Sequence, residues 1–356
     1  MNLTLLIDGN WLAISRMSIF ANQFKKSNPD VIKSSAAEDF KILLARSINV
    51  ILNRFIDIDN IILISDGGSW RKSLTIPKCL EVTYKGNRGD DADELDFDII
   101  FKSFNEFISH CKDIGITCCN GVNCEGDDWI WYWSKKLNSE GINTMIWSSD
   151  NDLKQLVQKE NNGSVTMWYN DKNGLFLHET LNEKLSDIDF FLQEDSMNPV
   201  IKNMIHLLKI EPHYINPENI ILNKIFCGDS SDNIKSVARY IKNGRTYNFS
   251  NKDFQNLIKE LNINNLNKLF ENYEFIANYI INQKKFKPYK INPEDVYEML
   301  LYNTKLVWLN ESNIPDIIIH QMNTSEYKKF NINEIRNNYK ILLEDEEDVK
   351  NLFESL

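Results

Sequence analysis

Short apolar runs alternate with helically spaced apolar residues through the first half of the chain. Leu3–Ile7 reads as a buried strand that stops at Asp8-Gly9-Asn10, and Ile61–Ile64 as a second that stops at Asp66-Gly67-Gly68. Between them Phe40, Leu43, Leu44, Ile48, Ile51, Leu52 and Phe55 recur at three- and four-residue steps, which predicts an amphipathic helix over 37–56. Ile116–Cys119 predicts a third strand. A helix follows over 127–139, stopped by Gly141, and Asn143–Trp147 predicts a fourth strand ending at Ser148-Ser149-Asp150. Strands alternating with helices imply a parallel sheet covered on both faces. Val165–Tyr169 and Leu175–His178 flank Asn170–Gly174 as an appended hairpin. Residues 85–112 read as an insertion between strands, with a capping-box-like start at Asp91 and Glu94 and one apolar helical face through Phe97, Ile100, Phe101, Phe104, Phe107, Ile108 and Cys111. Beyond about 180 the spacing is helical and broken by prolines. The pattern thus predicts an α/β domain over 1–180 and a helical domain over 181–356.

Composition narrows the class. The 356 residues are 42% hydrophobic and 26% charged, enough apolar matter for a sizeable core. Acids outnumber bases 51 to 40 and the formal charge is −11, which excludes a broadly basic nucleic-acid coat but not a local basic groove. No apolar run approaches the ~18 residues a membrane span needs. Residues 1–15 lack a secretory pattern. The expectation is a soluble, cytoplasmic protein without a membrane partner. The six cysteines form no C-x-x-C pair and the five histidines are scattered, so neither a structural zinc nor a cysteine nucleophile is indicated.

The chemistry lies in the acids. Asp8, Asp66 and Asp150 each follow the carboxyl end of a predicted parallel strand, the edge at which open α/β sheets build their sites. One such aspartate is ordinarily a turn residue or a helix cap. Three at equivalent positions converge on one edge. Glu125-Gly126-Asp127-Asp128 opens a helix, and Asp150-Asn151-Asp152 places two carboxylates two residues apart. Like charges packed this closely need cations, and oxygen donors without histidine or thiolate partners select magnesium or manganese. Such ions activate water and support displacement at phosphorus. Farther on, Cys227-Gly228-Asp229-Ser230-Ser231-Asp232-Asn233-Ile234 follows the apolar helix 220–226. It reads as a helix–loop–helix whose loop can offer amides and hydroxyls to a phosphate.

These motifs, with Tyr84-Lys85-Gly86-Asn87-Arg88 between them, stand in the order found in the 5′ nuclease superfamily of flap endonucleases and 5′-to-3′ exonucleases. The chain resembles that superfamily from Leu3 to about Val237, in pattern nearest the phage T-even ribonuclease H branch. The resemblance implies a PIN-like α/β nuclease domain with a helical arch over about 85–112. It also implies a helix–three-turn–helix over about 218–240 and a helical carboxyl-terminal domain. It implies that Asp8, Asp66, Glu125, Asp127 and Asp128 hold a first metal ion, and that Asp150, Asp152, Asp229 and Asp232 hold or orient a second. Lys85 and Arg88 would meet charge on the scissile phosphate and Tyr84 would stack on a terminal base. Gly228, Ser230, Ser231, Asn233 and Lys235 would grip DNA. The implied cofactor is Mg2+, with Mn2+ as a substitute. The resemblance also implies a potassium ion at this loop, although Lys235-Ser236-Val237-Ala238 departs from the family's usual Pro-Gly-Val continuation. The acids from Asp90 to Asp98 give the arch an unusual charge for a phosphate path.

The implied activity is metal-dependent removal of RNA primers or 5′ flaps from DNA or RNA–DNA duplexes, by a phage-encoded monomer in a bacterial host. A PIN-type ribonuclease is the first alternative, opposed by the Gly228–Ile234 loop. A non-catalytic DNA-structure binder is the second, opposed by the complete acid set. The tail, acidic over 344–348 with Leu352 and Phe353 beyond, reads either as a last helix on its own domain or as a peptide for a sliding clamp.

Overall fold

The computed structural model describes residues 3–24, 29–86, 97–158, 163–169, 174–178, 201, 204–205, 208–263 and 265–343. Arg88, the acidic stretch 90–96 and the tail 344–356 lie outside them. The chain divides into two compact units. One comprises 1–68, 92–215 and 316–356, the other 69–91 and 216–315.

The first unit is built on a seven-stranded sheet. Its strands are β1 (Leu3–Asp8), β2 (Ile58–Ile64), β3 (Thr117–Cys119), β4 (Asn143–Trp147), β5 (Val165–Tyr169), β6 (Gly174–His178) and β7 (Glu211–Ile215), in the order β3-β2-β1-β4-β5-β6-β7. All neighbours pair parallel except the β5–β6 hairpin. Strand β1 is buried at every position, as expected of a central strand covered on both faces. The chain winds outward from β1 through β2 to β3 and then returns to β4 on the other side of β1. The order therefore reverses between β1 and β4, where such sheets open a crevice.

Helices α1 (Gly9–Phe24), α2 (Pro29–Arg54), α3 (Phe97–Asp113) and α4 (Gly126–Ser139) connect these strands. Helix α2 contains the predicted 37–56 segment nearly whole, and its Phe40, Leu44, Ile48, Ile51 and Leu52 are buried in the same core as Leu5, Ile7 and Leu63. Glycine is required at position 9, because a Cβ there would stand 2.5 Å from the Ile64 carbonyl oxygen, where β1 turns into α1 against the end of β2.

The second unit is helical: α5 (Pro217–Cys227), α6 (Asn251–Leu261), α7 (Leu266–Phe270), α8 (Tyr273–Asn282) and α9 (Pro293–Val307), with a hairpin of β8 (Arg239–Lys242) and β9 (Arg245–Asn248). Its core gathers Leu222, Ile225, Phe226, Phe249, Phe254, Leu257, Ile280, Phe286 and Leu300. Helices α10 (Asp316–Asn323) and α11 (Ile332–Asn337) belong to the first unit.

Four expectations change. The units do not divide at 180: the described residues of 201–215 and 316–343 group with the α/β unit and 69–86 with the helical one. Residues 97–112 of the expected arch are core helix α3, which buries Phe104, Phe107, Ile108 and Cys111, because its apolar face finds α2. A strand, β7, extends the sheet where helix was expected. The 228–238 loop runs into the β8–β9 hairpin rather than directly into a second helix, because Asn243 and Gly244 take left-handed conformations that close a two-residue turn.

Candidate functional site

In the α/β unit the three strand-end aspartates stand on β1, β2 and β4, which are adjacent in the sheet. Asp8 closes β1 and is buried; it accepts hydrogen bonds from the Trp11 N–H at 3.0 Å and from the Ser148 hydroxyl at 2.7 Å. The Asp8 carboxyl is raised to about 7: burial is the largest cause, the bonds from Trp11 and Ser148 offset part of it, and the charges of Asp150 and Asp66 add to it. That coupling brings the three acids into one electrostatic site.

Asp66 is exposed and held on two sides. Asn10 Nδ2 donates to it at 2.8 Å and the Gly126 N–H at 2.5 Å, while its own N–H donates to Asn10 Oδ1 at 3.1 Å. The Gly126 contact joins the β2 end to the start of α4. There Glu125 is the N-cap, bonded reciprocally with Asp128 in a capping box. Glu125 and Asp128 are buried and Asp127 is partly exposed. Asp150 is exposed and caps the short turn of 3-10 helix Asn151–Leu156 by accepting from the Asp152 N–H at 2.8 Å. Ser148 also accepts from the Asp150 N–H at 3.0 Å, so one hydroxyl ties Asp150 to Asp8.

The motif reading had singled out the acids but not Asn10 or Ser148, which aim them. Both sit inside the quoted motifs, two residues from an aspartate, and a short polar residue there reads as an ordinary turn. The donor set, carboxylates without histidine or thiolate, fits a hard divalent cation in its chemistry. Among the described residues no three of these side chains are gathered closely enough to enclose an ion by themselves.

The other described motif residues, Tyr84, Lys85 and the 228–235 loop, form a second cluster in the helical unit, while Arg88 lies outside the described residues. Helix α5 starts from Asn216, whose side chain accepts from the Asn219 N–H, with Pro217 at its first position. It ends at Gly228, whose φ of 77° suits glycine. A Cβ there would collide with the Ile234 carbonyl oxygen. Asp229 and Ile234 then exchange backbone hydrogen bonds of 2.9 and 2.7 Å and close the loop. Tyr84 and Lys85 join it from the 69–91 segment. The Lys85 N–H donates to the Asp232 carbonyl at 2.9 Å, and Asn233 Nδ2 donates to the Thr83 carbonyl at 2.9 Å. Lys235 donates to Asn233 Oδ1 at 2.7 Å, and Ser230 and Ser231 are exposed at the loop's crest.

Two expected roles differ here. Tyr84 is buried in the helical core and its hydroxyl donates to Asp232 at 3.2 Å, so its ring packs rather than presenting itself to a base. Both oxygens of Asp229 are engaged inside the loop, one by Lys224 at 2.6 Å and the other by Ser231. Burial alone would raise the Asp229 carboxyl, but these bonds from Lys224 and Ser231 outweigh it and hold the carboxyl below its ordinary range. Asp232 faces Tyr84 and, at 3.9 Å, the Lys85 ammonium. Asp229 and Asp232 thus brace the loop in this structure.

An acid-lined switch point on a doubly wound sheet, accompanied by a glycine-turned loop on a helical unit, is the architecture of a 5′ nuclease. Residues 3–186 match the model of the 5′-3′ exonuclease N-terminal resolvase-like domain, and the chain belongs to that family. It is accordingly a nuclease, a hydrolase. A 5′-3′ exonuclease of Mycoplasmopsis pulmonis is 28% identical over 307 residues, 86% of this chain and 80% of that protein. The bacteriophage T5 D15 protein co-crystallised with metal ions superposes with a TM-score of 0.52 at 15% identity, over 96% of this chain and 100% of its own. The T5 5′-exonuclease with bound zinc gives 0.51 at 16%, over 90% and 97%. The D15 flap endonuclease in a pseudo-enzyme-product complex with DNA and metal ions gives 0.52 at 15%, over 96% and 100%. At those identities the likeness is one of fold. No described helix is long and apolar enough to cross a membrane.

Proposed function

We propose that this chain is a structure-specific 5′-3′ exonuclease and flap endonuclease that removes RNA primers or 5′ flaps during DNA replication and repair. The observation that carries the reading is the carboxylate edge, where buried Asp8 feels the charges of Asp66 and Asp150 across adjacent strand ends. Divalent ions, magnesium with manganese as a substitute, supply an activated water and neutralise phosphate charge when bound. Asp8, Asp66, Glu125, Asp127 and Asp128 would hold one ion, partly through water, and Asp150 and Asp152 would hold a second. Lys85 and Arg88 meet the charge that develops on the scissile phosphate. The amides and hydroxyls of Gly228–Lys235 take the duplex backbone. That a protein of this fold, the D15 flap endonuclease, was captured with DNA and metal ions supports a DNA substrate. In this reading the enzyme acts as a monomer, and the 344–356 tail either packs on its own domain or offers Leu352 and Phe353 to a sliding clamp.

The test is cleavage of a labelled 5′-flap duplex with magnesium and with chelator. Asp8→Asn and Asp150→Asn should each lower turnover by roughly 100-fold or more while duplex affinity changes little, since a metal-positioning group rather than a backbone contact is lost. Near-normal turnover in both variants, with their melting curves intact, would sink the assignment.

A further inference from the structure

The β8–β9 hairpin is chemically unlike the rest of this acidic chain. From Asn233 to Lys252 there is no acid, while Lys235, Arg239, Lys242, Arg245 and Lys252 fall within that stretch. From Phe275 to Pro293 there is again no acid, and Lys284, Lys285, Lys287 and Lys290 fall there. The two stretches meet in the helical unit. Tyr240 of β8 and Tyr289 stack with ring centroids 3.8 Å apart, and Lys285 donates to the Asn248 carbonyl at 2.9 Å.

The strand register decides what the hairpin displays. Tyr240 pairs with Tyr247 and Lys242 with Arg245. Side chains alternate between the faces of a strand, so Tyr240, Lys242, Arg245 and Tyr247 share one face, an aromatic pair with a cationic pair next to the turn. The rings of Tyr240 and Tyr247 are parallel within 7° at 5.2 Å, which makes Tyr289, Tyr240 and Tyr247 a stacked column. Tyr247 ends that column and is 39% exposed, and Ile241 on the opposite face is 71% exposed. Among the described residues neither Lys242 nor Arg245 is paired with a carboxylate.

We propose that this hairpin binds a single-stranded segment of the nucleic-acid substrate, stacking an unpaired base on Tyr247 and holding flanking phosphates with Lys242 and Arg245. The pairing of an open aromatic face with unpaired cations is the chemistry of single-strand recognition. A duplex outer surface would use the cations but has no unpaired base to place on Tyr247. The proposal rests on the nuclease reading for its substrate. It concerns binding alone and is measured without cleavage.

The experiment is fluorescence anisotropy of a labelled oligothymidine and of a blunt duplex, each titrated in chelator with the full-length protein. Tyr247→Ala should weaken the single strand by about 10-fold or more and Tyr247→Phe should not, because stacking needs the ring and not the hydroxyl. Lys242→Glu with Arg245→Glu should also weaken it and flatten its salt dependence, by about 0.7 in log–log slope per lost phosphate contact. These cations are exposed, so this variant tests the proposal even if removal of the Tyr247 ring disturbs the fold. Unchanged single-strand affinity in the charge variant and in a folded Tyr247→Ala protein would overturn it. An equal loss on blunt duplex would overturn it as well and make the hairpin a duplex-backbone contact. The nuclease reading fails instead if Asp8→Asn and Asp150→Asn both cleave at a near-normal rate, an outcome that leaves these affinities untouched.

Discussion

The residues that set the chemistry are not only the charged ones. Ser148 donates to Asp8 and accepts from the Asp150 N–H, so one hydroxyl fixes two acids on neighbouring strand ends. Ser148→Ala should lower single-turnover cleavage by about 10-fold with little change in substrate affinity, since a loss of positioning appears in the rate. A loss confined to affinity would place Ser148 in substrate binding instead. Lys85 is a different case, because its φ of 53° costs a non-glycine residue about 1 kcal/mol or more, and its ammonium lies a loose 3.9 Å from Asp232. Lys85→Gly relieves the backbone while removing the charge. Its stability should stay within about 1 kcal/mol of the parent, measured by denaturant midpoint, while the rate at saturating substrate falls roughly 100-fold. If the rate is unchanged, Lys85 serves the loop and not the reaction. At this scale the sequence was most legible where a strand ends in a carboxylate. It was least legible where the acid is aimed by an amide or hydroxyl such as Asn10 or Ser148, because those contacts cross from one strand end to another.

Elements were legible where their periodicity was local and strong. Strand β4 and the β5–β6 hairpin agree with the pattern to within a residue, and α2 extends the predicted 37–56 helix toward its amino end. The β8–β9 hairpin was missed although it carries Asn243-Gly244, the strongest short-range hairpin signal, because a helix-loop-helix had been expected there. The apolar face of helix α3 is the same whether it belongs to an arch or meets a partner in the core. Packing on α2 is a tertiary fact. The end of α2 shows another such fact. Arg336 of α11 donates to the carbonyls of Leu52, Phe55, Ile56 and Ile58 at 3.1, 3.3, 2.9 and 2.7 Å, so one guanidinium binds the last turn of α2, the link that follows it and the start of β2. Arg336→Ala should destabilise the protein by about 2 kcal/mol, because several half-buried carbonyls then rely on water. Arg336→Lys should recover little of it, since an ammonium cannot span the same fan of acceptors. Denaturant midpoints of the two variants check both statements. A midpoint unchanged in Arg336→Ala would show that solvent replaces the guanidinium without cost.

At the scale of the whole molecule, the chain leaves the α/β unit at 216 and comes back to it at 316, and no periodicity records such a return. Residues 316–343 complete the first unit. Ile332, Ile335, Leu342 and Leu343 are buried in the core that contains Leu5, Ile48 and Ile61. Backbone polar groups depend on the return as well. Asn60 Nδ2 and the Thr117 hydroxyl both donate to the Lys328 carbonyl, the Lys328 N–H donates back to Thr117, and Asn49 donates to the Ile335 carbonyl. A chain ending at 315 would expose that apolar surface and strip β2 and β3 of these partners, a loss of several buried side chains at about 1.5–3 kcal/mol each against a total stability of about 5–15 kcal/mol. Deleting 316–356 should therefore abolish the cooperative thermal transition and with it all cleavage, even though every acid of the site lies before residue 315. Deleting only 344–356 should preserve both on free flap oligonucleotides, and should abolish stimulation by a sliding clamp if the tail is its docking peptide. The two truncations separate the alternatives. A cooperative melt in the chain ending at 315 would mean that the first unit folds without its carboxyl-terminal return. A collapse of the chain ending at 343 would make the last residues structural and remove the clamp reading.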